Sequence, residues 1–444
     1  MKKRLIVLAC SIASTAVAQI GGGYLGPAVL SGGATGIGNR GGEQVDLRFF
    51  AGVNGTYDSS QEPAAIDSKG NLITTGALYG VQASWGAYGS HRWKMATLGL
   101  DYHGSWSDYI GGSTANANNS LNQSVQLGYT WQESRRIKID ARVTGGIFNG
   151  ALGGLGFGAA YNPSDIVQPS TLLFDEKTYY LQGGLNATYI QSPRTSYTFG
   201  GQGFENWQQS SQLVGMLGYS ATGSVEHKLS KYTSFGFTYS HNHYDYKNAY
   251  GQSDIDMGQL FIGTSFARVW SITLQAGVYH AEVTGEQSVT LNPVIAALLG
   301  QTSTIQAFYE EKFGPSGGAV LTRKFKQGSL SVSYNRGISP GNGVYLTSES
   351  ESLTGSYSYT GIRKVGLSVS GGYNRLSSIG QGIEPYRTAY GGAGFTYTLP
   401  LSLHFTARYD YRYNQIENYV YKNVGSAVSA GLSFSPGTIP LSIW

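Results

Sequence analysis

The ionisable residues of the chain that could do chemistry fall at alternating positions of long, otherwise apolar segments. The clearest segment, residues 400–414, reads PLSLHFTARYDYRYN and carries its ionisable groups at His404, Arg408, Asp410 and Arg412. The same spacing recurs at Asp46 and Arg48, at Asp101 and His103, and at Lys138, Asp140 and Arg142. Residues two apart in a β-strand share one face of the sheet, so each group predicts a wall that carries both signs of charge.

A wall with both signs of charge can do two things, and we expect both in this chain. Rings of ionised side chains set the selectivity of a water-filled pore, so we predict that these residues line a pore. Opposite charges also pair with one another and brace the wall. Arg408 and Arg412 flank Asp410, and one carboxylate neutralises one guanidinium. We therefore expect the other guanidinium to be available to an anion.

Metal binding and catalysis are less favoured by the sequence. Two histidines and three aspartates could form a metal site: His241, His243, Asp245, Asp254 and Asp256. A polar strand end beside aromatic residues explains the same pattern, so we expect no metal. Cys10 is the only cysteine, which excludes disulfides and thiolate sites from the rest of the chain. No motif brings serine, histidine and aspartate together, and we predict neither an enzyme nor a cofactor.

The elements that would position these charges are long strands with one apolar face. The odd positions of residues 401–413 are all apolar or aromatic, as a strand between lipid and water requires. Eighteen segments follow this pattern: Val45–Tyr57, Tyr79–Ala87, Leu98–Trp106, Leu121–Trp131, Ile137–Ile147, Leu181–Tyr189, Tyr197–Gly203, Leu217–Val225, Phe235–Tyr239, Ile255–Phe266, Trp270–Val278, Gly317–Phe325, Leu330–Tyr334, Leu353–Tyr359, Val365–Tyr373, Ala389–Leu399, Leu401–Tyr413 and Val428–Phe434. The sequence therefore predicts an all-β fold, a transmembrane antiparallel up-and-down β-barrel of about eighteen strands.

The connections between these segments alternate in length. Tight connections follow the even-numbered segments, as at 134–136, 192–194, 230–231 and 326–328. Long, polar connections follow the odd-numbered segments, most clearly Asp58–Thr75, Phe148–Thr178, Glu282–Pro315 and Gly337–Ser350. A barrel with short periplasmic turns and long extracellular loops has this asymmetry, whereas a soluble β-sandwich does not. We expect Phe148–Thr178 and Glu282–Pro315 to be long enough to fold inward and narrow a pore.

Aromatic residues near the segment ends predict two membrane interfaces. Amphipathic rings favour the headgroup level, with aliphatic side chains between the two levels. We expect this position for Trp85, Trp106, Trp131, Tyr409, Tyr411 and Tyr413. Outer-membrane lipid and lipopolysaccharide would then be the neighbours of this surface.

Composition and the N-terminal residues bound the remaining possibilities. The 444 residues include 30 basic and 26 acidic side chains, and this near balance argues against nucleic-acid binding. Residues 1–18 have the basic start, the apolar stretch and the small-residue end of a secretory signal peptide. A Gly-rich segment follows at 19–43, either in the periplasm or inside the lumen, and residues 44–444 are predicted to form the barrel.

The signal, the eighteen segments and the terminal Trp444 together resemble bacterial outer-membrane β-barrel porins. The looser likeness is to porins found beside polysaccharide export genes and to the alginate exporter. The resemblance implies the outer membrane of a Gram-negative-type bacterium, with Trp444 as a signal read by the barrel-assembly machinery. It implies passage of polar solutes, and as a specialised version the secretion of an acidic polysaccharide with periplasmic export components as partners.

Two other functions and one structural alternative stay open at this point. A plugged barrel could act through its extracellular loops as a binding or structural protein, and a barrel could also hold a hydrolase site. Pro436 and Pro440 cannot donate to a β-ladder. The last strand therefore either continues through them at the seam or ends at Phe434 and leaves a short tail.

Overall fold

The structure of the protein is a computed structural model. It describes residues 45–59, 65–66, 72–73, 77–111, 119–149, 177–209, 214–247, 249–267, 269–290, 303–340, 346–417, 422–435 and 438–441. The predicted signal peptide 1–18, the Gly-rich segment 19–43, the loop residues 150–176 and Trp444 lie outside the described residues.

The described residues lie almost entirely in β-strands, as the two-residue period of the sequence predicts. The strands are, in chain order, β1 (Val45–Asp58), β2 (Ala65–Ile66), β3 (Leu72–Ile73), β4 (Leu78–Arg92), β5 (Ala96–Gly111), β6 (Asn119–Gln132), β7 (Ile137–Asn149), β8 (Lys177–Ile190), β9 (Thr195–Gln208), β10 (Gly215–Lys228), β11 (Thr233–Lys247), β12 (Gly251–Phe266), β13 (Trp270–Thr290), β14 (Ser303–Phe325), β15 (Gly328–Ser339), β16 (Ser348–Ile362), β17 (Val365–Ser378), β18 (Tyr386–Thr398), β19 (Leu403–Ile416), β20 (Lys422–Phe434) and β21 (Thr438–Leu441).

Eighteen of these strands, β1 and β4 to β20, form one closed wall. Each strand is antiparallel to the next in the chain, and β1 pairs with β4 on one edge and with β20 on the other. The pair β2 and β3 forms a separate small hairpin. Every predicted segment coincides with one wall strand, so the predicted all-β antiparallel barrel is confirmed.

The barrel closes at a seam made by three strands. β20 pairs with the second half of β1, from Ala51 to Asp58. β21 then pairs with the first half, from Val45 to Arg48. The chain therefore continues along the seam after Phe434 instead of leaving it as a free tail. This continuation completes the row of backbone hydrogen bonds that the first strand would otherwise present as an open edge.

The two ends of the barrel differ, and we call them the turn end and the loop end. The turn end carries the tight connections 93–95, 133–136, 191–194, 229–232, 267–269, 326–327, 363–364 and 399–402. The loop end carries the remaining connections between consecutive wall strands, which are longer with one exception at 248–250, between β11 and β12. The predicted alternation of short and long connections is confirmed apart from that one.

Three of the tight turns use a serine at the same place. The Ser134 hydroxyl accepts the backbone N–H groups of Arg136 and Ile137 at 3.2 and 3.1 Å. Ser192 and Ser230 accept equivalent pairs of N–H groups in their own turns. Serine competes well for backbone donors that a strand ladder leaves unsatisfied, which explains the residue choice.

The wall is polar inside and apolar outside, the reverse of a soluble protein. Side chains such as Asn54, Gln82 and Thr406 face inward and are buried, whereas Val53, Val81 and Leu274 face outward and are exposed. Alternation in each strand produces this division, because successive side chains point to opposite faces. Within the described ranges, no helix has the length and hydropathy that a membrane span requires.

The segment Glu282–Pro315 is mostly strand, so its prediction as a long loop is wrong. β13 continues to Thr290 and β14 begins at Ser303, and the two strands pair over this whole length as a ribbon that extends beyond the loop end. The alternation persists in the ribbon with its polarity exchanged in β13, whereas the outer face of β14 keeps the exposed apolar residues Ile305, Tyr309 and Phe313. In β13 the outward positions after Val278 hold polar residues, and the inward positions hold Tyr279, Ala281 and Val283. Residues 291–302 lie outside the described ranges.

Candidate functional site

The inner face of β19 carries the densest set of predicted pore residues. His404, Arg408, Asp410 and Arg412 all face the lumen, because the even positions of β19 are the more buried ones and Tyr409 and Tyr411 are exposed on the other face. The Arg408 guanidinium donates from Nε to both Asp410 carboxylate oxygens, at 2.9 and 2.7 Å, and from Nη2 to Oδ1 at 2.6 Å. This is the two-pronged pair that a planar guanidinium makes best.

Arg412 is also paired, so the expectation of an available guanidinium is wrong. Its Nη2 donates to the two carboxylate oxygens of Asp58 at 2.6 and 2.7 Å. Asp58 ends β1, and β20 lies between β1 and β19. Gly425 and Ala427 are the β20 residues at these registers, and their small side chains let Arg412 reach across the strand. Local spacing could not reveal a partner 354 residues away.

A second contact crosses the same strand nearer the turn end. The Thr406 hydroxyl donates to Asn54 Oδ1 at 3.3 Å over Gly431. A Cβ at Gly431 would lie 2.1 Å from the Val53 carbonyl oxygen and 2.2 Å from Asn54 Oδ1. Glycine is therefore required at this point. The inner face of β20 consists of small residues in this stretch. Side chains of β19 and β1 can therefore contact each other across β20 and stabilise the seam.

The other predicted lumen charges form small pairs on separate strands. His103 Nδ1 lies 2.5 Å from Asp101 Oδ1, and Lys138 Nζ lies 2.8 Å from Asp140 Oδ2. Arg142 faces inward on β7 and has glycine as its register partner on both neighbouring strands, at Gly128 and Gly184. Asp46 and Arg48 lie in β1, but their side chains are outside the described part. The charges are thus distributed around the wall and do not form one cluster.

The inner face of β15 and β16 is neutral and rich in hydroxyl groups, and the sequence analysis did not identify it. The inward positions of β16 are Ser348, Ser350, Ser352, Thr354, Ser356 and Ser358. Ser329 and Ser333 of β15 hydrogen-bond across to Ser358 and Thr354, at 2.9 and 2.6 Å. The alternating serines of residues 348–358 are the signal that could have predicted it, since alternation of an uncharged residue also marks a wetted face.

At the loop end the inner wall changes from polar to apolar. We call the apolar residues there the mouth cluster: Phe204, Met216, Tyr244, Tyr246, Ile255, Tyr279, Ala281, Val283, Leu346 and Ile379. Most of them are inward side chains of β9 to β13. Leu346 and Ile379 come instead from the connections after β15 and β17. Three wall strands separate β11 from β15, so Leu346, Thr347 and Ile379, the described residues of these connections that contact the cluster, lie across the mouth.

Hydrogen bonds fix the crossing connections to the inner wall. Thr347 Oγ1 lies 2.5 Å from the Tyr246 hydroxyl and also contacts the Ser253 hydroxyl. Ile379 N–H donates to the Thr347 carbonyl at 3.0 Å, which joins the two connections to each other. Gln381 Oε1 accepts the Leu346 N–H at 3.0 Å. The mouth is therefore narrowed by an ordered cover.

The tips of β15 and β16 lie inside the ribbon of β13 and β14. Pairing between β14 and β15 ends at Gly317 and Arg336, which opens a slit in the wall above that level. Through this slit Glu349 of β16 accepts a hydrogen bond from the Tyr279 hydroxyl and lies 3.4 Å from Lys312 Nζ. The outer face of the β15 and β16 tips thus packs on the inner face of the ribbon of β13 and β14.

Glu349 lies beyond the apolar outer band, which ends at Leu353 in β16. Burial alone would raise the pKa of its carboxyl group. The hydrogen bond from Tyr279 and the charge of Lys312 outweigh burial and hold the pKa below its ordinary value of 4.5. The ionised form of Glu349 is therefore the form that holds the tip in place.

The aromatic residues expected at the interfaces occupy several levels of the outer wall. Trp131 lies beside the turn 133–136, whereas Trp106 lies toward the loop end of β5. Trp85 lies in the middle of β4, where its Nε1 donates to the Tyr102 hydroxyl at 3.0 Å. Tyr409 lies at the middle of β19, and Tyr411 and Tyr413 lie in its loop-end half.

The histidines considered for a metal site lie on the outer face of β11 near the loop end. His241 Nδ1 lies 3.0 Å from Asp256 Oδ1, and His243 Nδ1 lies 2.7 Å from Asp254 Oδ1. Asp254 Oδ1 also lies 3.9 Å from His241 Nε2, and His243 Nε2 lies 3.3 Å from Asp245 Oδ2, so these side chains form one linked set of ion pairs. Among the described residues, no group of three or more such side chains is arranged to hold a metal ion.

Comparisons with known proteins find similarity in solved structures. The crystal structure of OccK5 (OpdH) from Pseudomonas aeruginosa is 9% identical, covers 89% of this chain and 99% of its own, and has a TM-score of 0.39. The BenF-like porin from Pseudomonas fluorescens Pf-5 is 10% identical with the same coverage and a TM-score of 0.41. OccK9 (OpdG) from P. aeruginosa is 13% identical, also with the same coverage, with a TM-score of 0.40.

The P. fluorescens neighbour is a porin. At such identities the likeness concerns the fold alone. No family model matches the sequence. No curated protein matches it.

Proposed function

We propose that this protein is a channel in the bacterial outer membrane through which polar solutes pass. The observation that carries the proposal is the closed wall with a polar inner face and an apolar outer face. A barrel of about eighteen strands is wide enough to leave an aqueous passage, whereas an eight-stranded barrel is filled by its own side chains.

The outer apolar band has the height that a membrane requires. An apolar band about 25 Å tall takes roughly ten residues of a tilted strand. The outward apolar residues of β19 extend from Phe405 to Tyr413, and those of β13 from Trp270 to Val278. Bacterial barrels place short turns in the periplasm and long loops outside. We therefore assign the turn end to the periplasm and the loop end to the cell exterior.

The solutes best supported are polar molecules without a strong net charge. Arg408 and Arg412 are each held by a carboxylate, and the serine wall of β15 and β16 offers hydroxyl groups that donate or accept hydrogen bonds. Secretion of an acidic polysaccharide stays the specialised version of the proposal. The ion pairs of β19 do not favour it, because a polyanion needs cationic groups that are not already neutralised.

The second candidate is a barrel that is closed and acts through its outer loops. The mouth cluster favours it, since ordered connections lie across the loop end. Ion conductance of the purified, folded protein in planar bilayers decides between the two candidates. We expect discrete open-channel steps, because the inner wall below the mouth cluster is polar. Absence of conductance from protein shown to be folded would leave the closed barrel as the function.

A further inference from the structure

Cationic side chains encircle the turn end of the barrel. Exposed basic residues occupy the described turns as follows: Lys94, Arg135, Arg136, Arg194, Lys231, Lys326, Arg363 and Lys364. Glu133 is the only carboxylate in the described residues of these same turns. The loop end has the opposite balance, with Asp254, Asp256, Glu282 and Glu311 on the outer face. The molecule therefore presents opposite charge at its two rims.

One cation of this end lies on the side wall instead of in a turn. Arg323 belongs to β14 and shares its outward face with Leu321 and Phe325, two residues to either side. Its guanidinium carbon lies 4.6 Å from the ring centre of Trp270 and 4.4 Å from that of Phe325. Trp270 is its register partner on β13, so one ring flanks the guanidinium from the neighbouring strand and the other from its own strand.

The aromatic contacts hold the Arg323 guanidinium and leave its Nε without a hydrogen-bond partner among the described residues. Arg323 Nε is buried, and none of the described residues accepts a hydrogen bond from it. A buried N–H of a charged group is costly to leave unsatisfied. Phe325 ends β14 at the turn, so the guanidinium lies at the level where the apolar band gives way to the headgroups. Arg323 as a whole is only half-buried, and a lipid phosphate at that level would accept hydrogen bonds from the terminal Nη groups of its guanidinium.

We propose that Arg323, Trp270 and Phe325 form a binding site for the phosphate of an anionic phospholipid in the periplasmic leaflet. The site rests on the proposed membrane location and on the assignment of the turn end to the periplasm. A guanidinium matches phosphate geometry with parallel N–H donors. The cations of the turns add attraction for an anionic leaflet, since each basic residue near such a surface strengthens binding about fivefold.

The position of Arg323 favours lipid over an acidic protein or polymer of the periplasm. A periplasmic macromolecule would approach the turns from below. Arg323 instead faces sideways, in a row of outward aromatic residues. Phe266 stacks on Trp270 at 5.9 Å, and Phe325 meets Tyr357 edge to face at 5.9 Å. Aromatic side chains in this arrangement are typical of a surface in contact with lipid headgroups.

The test measures phospholipid binding to the intact barrel in neutral detergent by native mass spectrometry. Phosphatidylglycerol is the anionic probe, and phosphatidylcholine is the zwitterionic reference. We expect the wild type to prefer phosphatidylglycerol, and Arg323→Gln to weaken that binding about fivefold. Arg323→Lys should fall between the two, since it keeps the charge and loses the fork of donors.

Lys422→Gln is the matched control. Lys422 is also an outward cation against an aromatic ring, with its Nζ 5.5 Å from the ring centre of Tyr413, but it lies at the loop end. We expect this variant to bind phosphatidylglycerol as the wild type does. Heat modifiability on gels shows that each variant is folded.

Two results would overturn the lipid site. Equal phosphatidylglycerol binding by Arg323→Gln and the wild type would remove Arg323 from it. No preference for phosphatidylglycerol in the wild type would assign the cationic rim to an acidic periplasmic macromolecule instead. Conductance in phosphatidylcholine bilayers is measured on the same samples, so failure of the channel function is seen separately from failure of the lipid site.

Discussion

Two arginines of β19 lie four residues apart and have partners of different origin. Arg408 is held by its neighbour Asp410, and Arg412 by Asp58 at the far end of the chain's first strand. Both pairs bring charge into the lumen without leaving much net charge at its surface. The lumen of this stretch should therefore discriminate weakly between small anions and cations until one partner is removed.

Asp410→Asn should make the channel prefer anions. The substitution leaves the Arg408 guanidinium without its carboxylate, and a unit charge roughly 8 Å from a permeating ion in water is worth about 0.5 kcal/mol. The local anion concentration should rise about twofold. The reversal potential in a salt gradient measures the change. Asp108→Asn removes the same charge from the outer face of β5, and it should leave the reversal potential unchanged.

Acidic pH should loosen the tip of β16. The pKa of Glu349 is lower in the folded protein than its ordinary value of 4.5. Its stabilising effect is therefore complete above pH 4.5 and is lost as the pH falls through the lower folded pKa. Single-channel recordings should show larger or noisier currents below that pH, and Glu349→Gln should show them at neutral pH.

Glu351→Gln is the comparison for this pH effect. Glu351 accepts a hydrogen bond from the Tyr334 hydroxyl at 2.8 Å on the outer face of the neighbouring strand, and it takes no part in the contact with Tyr279. Its variant should keep the wild-type response to pH. If Glu349→Gln behaved like Glu351→Gln, the contact with Tyr279 would not be what holds the tip.

At the scale of elements, the connection 379–385 depends on one glycine. Gly380 has a φ of 80°, and a Cβ there would lie 2.1 Å from Phe308 Cε2. Gly380→Ala should therefore displace this connection from the mouth and increase conductance. Gly382 has a φ of 67° and open space around it. Gly382→Ala carries the backbone strain of about 1–2 kcal/mol alone, and it should change conductance less.

The strands were predictable, and the mouth was not. Alternation over segments of five to thirteen residues identifies every wall strand, because lipid and water impose opposite demands on its two faces. The same pattern does not identify the ribbon part of β13, because its inward residues Tyr279, Ala281 and Val283 are apolar. A search for apolar residues on the outward parity ends at Val278. The pairing of Arg412 with Asp58 was equally hidden, because it depends on closure of the barrel.

For the whole molecule, the two faces of one strand should respond oppositely to the same substitution. Leu274→Arg places a charge at the middle of the outer band of β13 and should cost about 2–4 kcal/mol of folding free energy in bilayers. Gln275→Arg, one residue further along, faces the lumen and should cost little. Urea titration in phospholipid vesicles measures both. Equal costs would contradict the membrane assignment of the outer face.

The seam of β1 with β20 and β21 has a consequence for the time course of folding. Val45 pairs with Leu441, so the wall cannot close until the first strand meets almost the last described residue. Until then β1 and the last strand each present an unpaired edge, and another chain can add to either. Such distant pairing is also slow to form. The interval between synthesis and closure, more than the stability of the finished barrel, should set how much of the protein is lost to aggregation.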